Sequence, residues 1–446
     1  MLDIYIYRGI IYTRKGMWSV HMKSFGLWYQ TVESKMAEET PTCNQCKTYV
    51  DTVGLEDKSL QKILDEEADQ KETEKENPCF QEHKKSLAAE GKKPEFNLHV
   101  NFWSFEDIDN NRKIKTPYLD IGLQINNYRL LNNVTLYCPF PLDENQVEDL
   151  SSKLELRSNA CIIFNDECEI ETKGSYTFIE LGEKHDKLLV FPLEQVIEDV
   201  YRIERTKNNE GARLVFQFEK FNKYVRKADR LDSANAIYIR FRIKSPELKE
   251  HIYFDSEPLN KSFESAFSGT RIIDFKVNEK RNIDDDIKAE VLINHEWARF
   301  CNIHFLVMVP SSYDLISFYK EPMTCRELEK DLWDDYLGTK INFSKGHVLA
   351  YHWRAKQTLE TDNQENRKIK PVEDFSCLVK VNYSRAKLST ILAYASSVIA
   401  LGILSSCIVT SMDKVSASNK AFGLYCLLMA ILFFVFTIFF SNYKKR

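Results

Sequence analysis

From Pro94 to Val381 polar and apolar positions alternate with a period of two, the pattern of half-buried strands. In PYLDIGLQI, Leu119, Ile121, Leu123 and Ile125 face one way, with Tyr118, Asp120, Gly122 and Gln124 opposite. FNLHVNFW sets Phe96, Leu98, Val100 and Phe102 on one face, and NVTLYCPF does the same with Val134, Leu136, Cys138 and Phe140. Further strands are expected at ACIIF, YTFIEL, ARLVFQFEKF, AIYIRFRI, HIYF, IHFLVMV, HVLAYHW and FSCLVKV. Helical signals are few and short: DENQVEDLSSKL, LEQVIEDVYRIE and TCRELEKDLWDDYL. Many short strands joined by polar turns predict a mainly β soluble domain over residues 92–383, an antiparallel sandwich or barrel, single or two in tandem with a seam near residue 245.

The pattern changes at the C-terminus. LSTILAYASSVIALGILSSCIVTSM (388–412) and AFGLYCLLMAILFFVFTIFF (421–440) carry no charge, and each is long enough to cross about 30 Å of hydrocarbon as helix. Residues 384–446 are therefore expected to form a two-helix transmembrane hairpin in contact with the lipid bilayer. Lys380, Arg385 and Lys387 precede the first span, and Lys444, Lys445 and Arg446 follow the second. This distribution predicts the inner membrane, with both termini cytoplasmic. Ser389, Ala393, Ser396, Ala400, Cys407 and Ser411 form a small-residue stripe on the first span, suited to close helix packing and a homo-oligomer.

At the other end, residues 1–91 are expected to lack a core. The run LEDKSLQKILDEEADQKETEKEN reads as a surface helix or a disordered tether. Met1, Met17, Met22 and Met36 are alternative starts, so the first 35 residues are read as dispensable. MLDIYIYRGIIYTRKG is broken by Asp3, Arg8, Arg14 and Lys15, which argues against a secretory signal. The 11 cysteines are scattered through apolar contexts, and read as thiols of a reducing compartment.

A net charge of -5 gives no whole-molecule attraction for nucleic acid, so an anion site must be a local patch. The best patch is AIYIRFRIK. If Ile237, Ile239, Phe241 and Ile243 are buried, Tyr238, Arg240, Arg242 and Lys244 line the other face, with Lys223 and Arg226 just upstream. An aromatic among guanidinium groups suits a phosphate-bearing ligand, nucleic acid or a ribonucleoprotein partner; the alternative is a solvated strand face. Cys43, Cys46, Cys79 and His83 have the ligand types of tetrahedral zinc, although 32 residues separate the two pairs and unpaired thiols are the plainer reading. Otherwise no cofactor is expected. His295-Glu296 opens like a zincin motif, but Arg299 stands where the second histidine belongs. The chain has no phosphate loop or nucleophile elbow, and nothing in it asks for catalysis.

A strand-rich module joined without a flexible linker to a two-span hairpin resembles the two-transmembrane effectors of bacterial anti-phage systems, the retron-associated type above all. The resemblance rests on layout alone and carries no residue across. It implies a cytoplasmic sensor that permeabilises the inner membrane on a trigger, in abortive infection. An anchored binding or scaffold protein is the alternative, and a tethered enzyme of unrecognised type the third.

Overall fold

The computed structural model describes residues 6–7, 10–11, 23–31, 93–104 and 117–412, with breaks at 174–175, 183–185, 194–199, 219, 223–233, 235, 257–267, 318–323, 338–346, 362–366 and 385–387, and then residues 423–425, 427–428 and 431. Its first elements are β1 (Ile6–Tyr7), β2 (Ile10–Ile11), β3 (Gly26–Thr31), β4 (Glu95–Trp103), β5 (Tyr118–Asn126), β6 (Leu131–Cys138) and β7 (Val147–Asp149). The short helix α1 (Arg157–Phe164) leads into β8 (Cys168–Lys173), β9 (Tyr176–Leu181), β10 (Asp186–Phe191), β11 (Tyr201–Arg205), β12 (Ala212–Gln217) and β13 (Ala236–Ile243). Next come α2 (Leu248–His251), β14 (Tyr253–Ser256), β15 (Ser268–Val277), α3 (Asp285–Asn294), β16 (Glu296–Trp297), β17 (Phe300–Pro310), β18 (Asp314–Ser317) and β19 (Thr324–Glu327). The last are α4 (Lys330–Leu337), β20 (Val348–Lys356), β21 (Thr358–Thr361), β22 (Arg367–Lys370), β23 (Phe375–Ser384) and α5 (Leu388–Met412).

These strands build two layers. One is a ten-stranded sheet in the order β19-β20-β17-β4-β5-β13-β10-β9-β8, with β7 added beside β13. The other consists of a five-stranded sheet, β11-β12-β6-β3-β16, and a four-stranded sheet, β14-β15-β23-β18. The expected apolar faces meet between the layers, since Leu119, Ile121, Leu123 and Ile125 share one buried cluster with Val134, Leu136, Phe275 and Val379. Aromatic pairs cross the gap: Phe275 lies on Phe305 at 5.0 Å and Tyr29 on Phe96 at 5.2 Å between ring centroids. Each such side chain contributes about 1.5–3 kcal/mol by leaving water. The mainly β class therefore stands as expected, with several sheets packed around one core.

The tandem arrangement is corrected, because the sheets run across residue 245. β17, from the later part of the chain, pairs in parallel with β4, and β16 pairs with β3. With β10 against β13 also parallel, the large sheet is mixed rather than antiparallel. The N-terminal segment is corrected as well. Phe25, Leu27, Trp28 and Tyr29 are all buried, and β3 lies inside the five-stranded sheet between β6 and β16. GLWYQT stands alone in the sequence, far from the next strand signal, so local alternation gives it no partner.

Short apolar runs misled in the other direction. ACIIF forms the end of α1 rather than a strand, and it ends at Asn165, which takes the left-handed conformation (φ 53°) common at helix ends. Periodicity alone cannot separate a short buried strand from one buried helical turn. TCRE pairs with β20 as an edge strand, and only Lys330–Leu337 of that expected helix forms. The acids Asp284, Asp285 and Asp286 open α3, where carboxylates suit the positive end of the helix dipole.

The largest correction concerns the membrane. Among the described residues no helix is long and apolar enough to cross one. The transmembrane hairpin, its bilayer contact and the inner-membrane placement drawn from it do not stand. Within α5, Ser396, Ser397, Ser405 and Ser406 stand among the apolar residues. The second expected span lies mostly outside the described residues. On α5, Ala400 is buried and Ser396 half-buried, whereas the side chains of Ser389, Ala393, Cys407 and Ser411 lie outside the described residues.

Candidate functional site: the outer face of the large sheet

The large sheet has a second face, turned away from the sandwich core, and register dictates what stands there. Residues directly opposite in neighbouring strands share a face. One row across five strands reads Arg240, Gly122, His99, His304, Arg354. The next reads Tyr238, Gln124, Asn97, Asn302, Lys356. A third reads Arg242, Asp120, Asn101, Leu306, His352. Polar side chains thus fill the face, which α1 and α4 cover only in part.

Beneath those helices the polar groups are sealed. Tyr238, Arg240 and Arg242, expected to offer an exposed anion site, are each 0% exposed. Asp120, also 0% exposed, accepts both Nε and Nη2 of Arg242 at 2.6 and 3.0 Å, and takes further bonds from Trp103 Nε1 and Tyr336 Oη at 2.9 Å each. Arg240 donates from Nε to Tyr336 Oη at 2.7 Å and from Nη1 to Tyr238 Oη at 2.8 Å. Asn101 accepts from Arg240 Nη2 at 3.0 Å in the amide orientation that satisfies both residues. Burial works against both guanidinium charges, but Tyr238, Tyr336 and Asp120 around Arg240, and Asp120 beside Arg242, raise their pKa values overall, so both stay protonated. Gly122 makes room for this network: a Cβ there would lie 2.2 Å from Tyr238 Oη.

The anion site on β13 is therefore corrected. Trp333 and Tyr336 of α4, packed on Trp103, and Phe164 of α1, 4.8 Å from Tyr238, cover the face that alternation left open. Lys244 is closer to the surface and pairs with Glu148 at 2.7 Å. Lys223 and Arg226 lie outside the described residues, as do Cys43, Cys46, Cys79 and His83. Among the described residues no group of three His, Cys, Asp or Glu side chains could hold a metal. Comparison with family models and with curated proteins finds no match.

Beyond the two helices the same face is half-exposed, and here three histidines meet. Tyr238 Oη reaches His99 Nδ1 at 3.3 Å, and the His99 ring stands edge-on to His304 at 5.1 Å. His304 Nδ1 lies 3.0 Å from His352 Nε2, with the rings 13° from parallel and their centroids 5.1 Å apart. That separation is the nitrogen-to-nitrogen distance plus roughly 1.1 Å of ring at each end, so the rings join edge to edge through an N–H···N hydrogen bond rather than stacking. Two arginines flank the pair. Arg354 donates to Asn302 Oδ1 at 2.8 Å, and Arg326 on β19 donates to Asn165 Oδ1 at 3.1 Å. Asn302 in turn donates to Asn97 at 3.0 Å.

All three imidazoles are held neutral. Burial pushes His304 down to about 4, assisted by His352 and Arg354. Burial lowers His352 as well, assisted by Arg354 and Arg326, and it drives His99 far below its ordinary value. The sequence carried a signal that alternation alone did not exploit: Asn97-Leu-His99 and Asn302-Ile-His304 repeat one N-x-H pattern, and the parallel register sets them side by side.

A consequence for stability follows. Below about pH 6.5 the unfolded histidines take up protons that the folded ones refuse, so folding stability falls as pH drops toward about 4, where His304 finally charges in the folded state. At about 1.4 kcal/mol per pH unit, His304 alone accounts for a loss of up to about 3 kcal/mol across that window. Urea unfolding at pH 7, 6, 5 and 4 measures it, and His304→Gln should flatten the slope. A wild-type stability that stays level over this range would refute the assignment.

Proposed function

We propose that the chain is a binding module, not an enzyme, and that it recognises an anionic ligand on the half-exposed part of the outer face. One observation carries this reading: among the described residues, the hydrogen-bond partners of Arg326 and Arg354 are amide oxygens, and both cations border imidazoles that are kept uncharged. An arginine held by an amide keeps its full positive charge, and both side chains are exposed, so an incoming anion can reach them. Only the sensing half of the effector reading is kept here, since its membrane half rested on the hairpin.

The test is thermal unfolding in phosphate and in chloride at matched ionic strength and pH 7. A ligand at a hundred times its Kd stabilises by about 2.7 kcal/mol, so a phosphate-specific rise in Tm is expected. The double variant Arg326→Ala, Arg354→Ala should lose that rise. Equal Tm values in the two salts, or a rise that survives the double substitution, would reject the proposal.

A further inference from the structure

We infer that Cys161 and Cys168 are a redox modification site, a dithiol that oxidised glutathione or another small disulfide converts into an intramolecular disulfide, tying the end of α1 to β8. Both are free thiols in this structure. Local geometry brings them together. α1 stops at Asn165 in the left-handed conformation, and the Asp166 N–H closes back on the Cys161 carbonyl at 3.3 Å. This is the closing bond of a Schellman turn, which folds the chain back over the last turn of the helix. Two residues later the Cys168 thiol donates to the Asp166 carbonyl at 3.5 Å, and Arg157, at the start of α1, donates from Nε to the Cys168 carbonyl at 2.8 Å. β8 therefore begins against the helix it has just left, with Cys168 in hydrogen-bond contact with Cys161. The two side chains share one small apolar cluster with Leu154, Ala160 and Ile179.

The two thiols are unequal. Cys161 is half-buried and can be reached, whereas Cys168 is 1% exposed. Burial, with Cys161 and Asp166 adding to it, pushes the Cys168 thiol up to about 12, so it is a poor first nucleophile. Cys161 is thus the sulfur that a small disulfide meets. Its thiolate attacks one sulfur of oxidised glutathione, forming a mixed disulfide on Cys161 and releasing one glutathione thiolate. Cys168 then gives up its proton, attacks the Cys161 sulfur and displaces the second glutathione. The sulfur–sulfur bond of oxidised glutathione is broken, one between Cys161 and Cys168 is made, and two electrons and two protons pass to two glutathione thiols. The second step is intramolecular, so contact in the native fold offsets the weak acidity of Cys168.

The bond bears on the outer face of the large sheet. Phe164, in the same turn, packs at 4.8 Å on Tyr238, and Asn165 accepts from Arg326 at 3.1 Å. A disulfide here fixes the helix end that carries both contacts. In a reducing compartment such a bond is transient and redox-sensing rather than a permanent staple.

Tryptic digestion gives a direct test, because peptide 158–173 holds these two cysteines and no other. The full chain is treated with oxidised glutathione, alkylated with iodoacetamide and digested. The peptide is expected to be lighter by two hydrogens and to carry no alkyl group. Cys168→Ser should stop at the mixed disulfide on Cys161, and Cys161→Ser should leave Cys168 free of glutathione. The oxidised wild-type chain should also melt a few degrees above the reduced one, a rise that neither serine variant shows. A wild-type peptide alkylated on both cysteines, or one left with glutathione on Cys161 beside a free Cys168, would overturn the inference. A disulfide that leaves Tm unchanged would keep the dithiol site and reject the tether of α1.

Discussion

Asp120→Ala is expected to destabilise the protein by about 3–5 kcal/mol, among the largest losses any single substitution here should cause. Its carboxylate accepts from the Nε–Nη2 edge of the Arg242 guanidinium, the Trp103 indole and the Tyr336 hydroxyl, in a place with no access to water. Removing it leaves Arg242, itself fully buried, with Glu148 at 3.6 Å, the Leu337 carbonyl at 3.4 Å and the rings of Tyr118 and Tyr336. A buried cation short of its counter-charge costs far more than the pair contributes when intact. Removing both charges, as Asp120→Leu with Arg242→Met, should therefore recover most of the loss, because a buried ion pair and a well-packed apolar pair are often close in stability. Urea unfolding of the two single variants and the double one decides the matter. A single-variant loss under about 1 kcal/mol, or a double variant worse than either single one, would show that the network does not hold the α4 cover in place.

The second large effect concerns the start of the working chain. A protein begun at Met36 lacks β3 and is expected not to fold. Phe25, Leu27, Trp28 and Tyr29 are all buried, and β3 links β6 to the end strand β16 of the five-stranded sheet. At about 1.5–3 kcal/mol for each of these four side chains, their absence removes roughly 6–12 kcal/mol. That is as much as the whole stability of an ordinary domain. The chain begun at Met22 keeps the strand and should match the full-length protein in far-ultraviolet circular dichroism and in Tm. A Met36 chain that unfolds cooperatively at the same Tm would refute the role given to β3.

The closed arginine line and the histidine pair on the outer face have one cause. Alternation told correctly which side of AIYIRFRI is apolar, but it is silent about what lies over the polar side. Arg240 and Arg242 look the same in sequence whether water or α4 stands above them, because the difference is made by Trp333 and Tyr336, about a hundred residues away. The histidine pair was hidden for a similar reason. His304 and His352 are 48 positions apart, and only the β17–β20 register brings them to hydrogen-bond distance.

By itself the sequence determined the strand-rich class, most of the strands and the apolar side of each, because a period of two is a local property of the chain. It also contained the repeated N-x-H pattern, and the isolated charges that now border the proposed site. Only the tertiary structure decided that the strands form one interleaved sandwich, that β3 belongs to it, and that the arginine line on β13 is closed while the imidazoles on β4, β17 and β20 stay half-open. Those outcomes depend on which distant segments meet, and long-range pairing leaves no mark in the local alternation of polar and apolar residues.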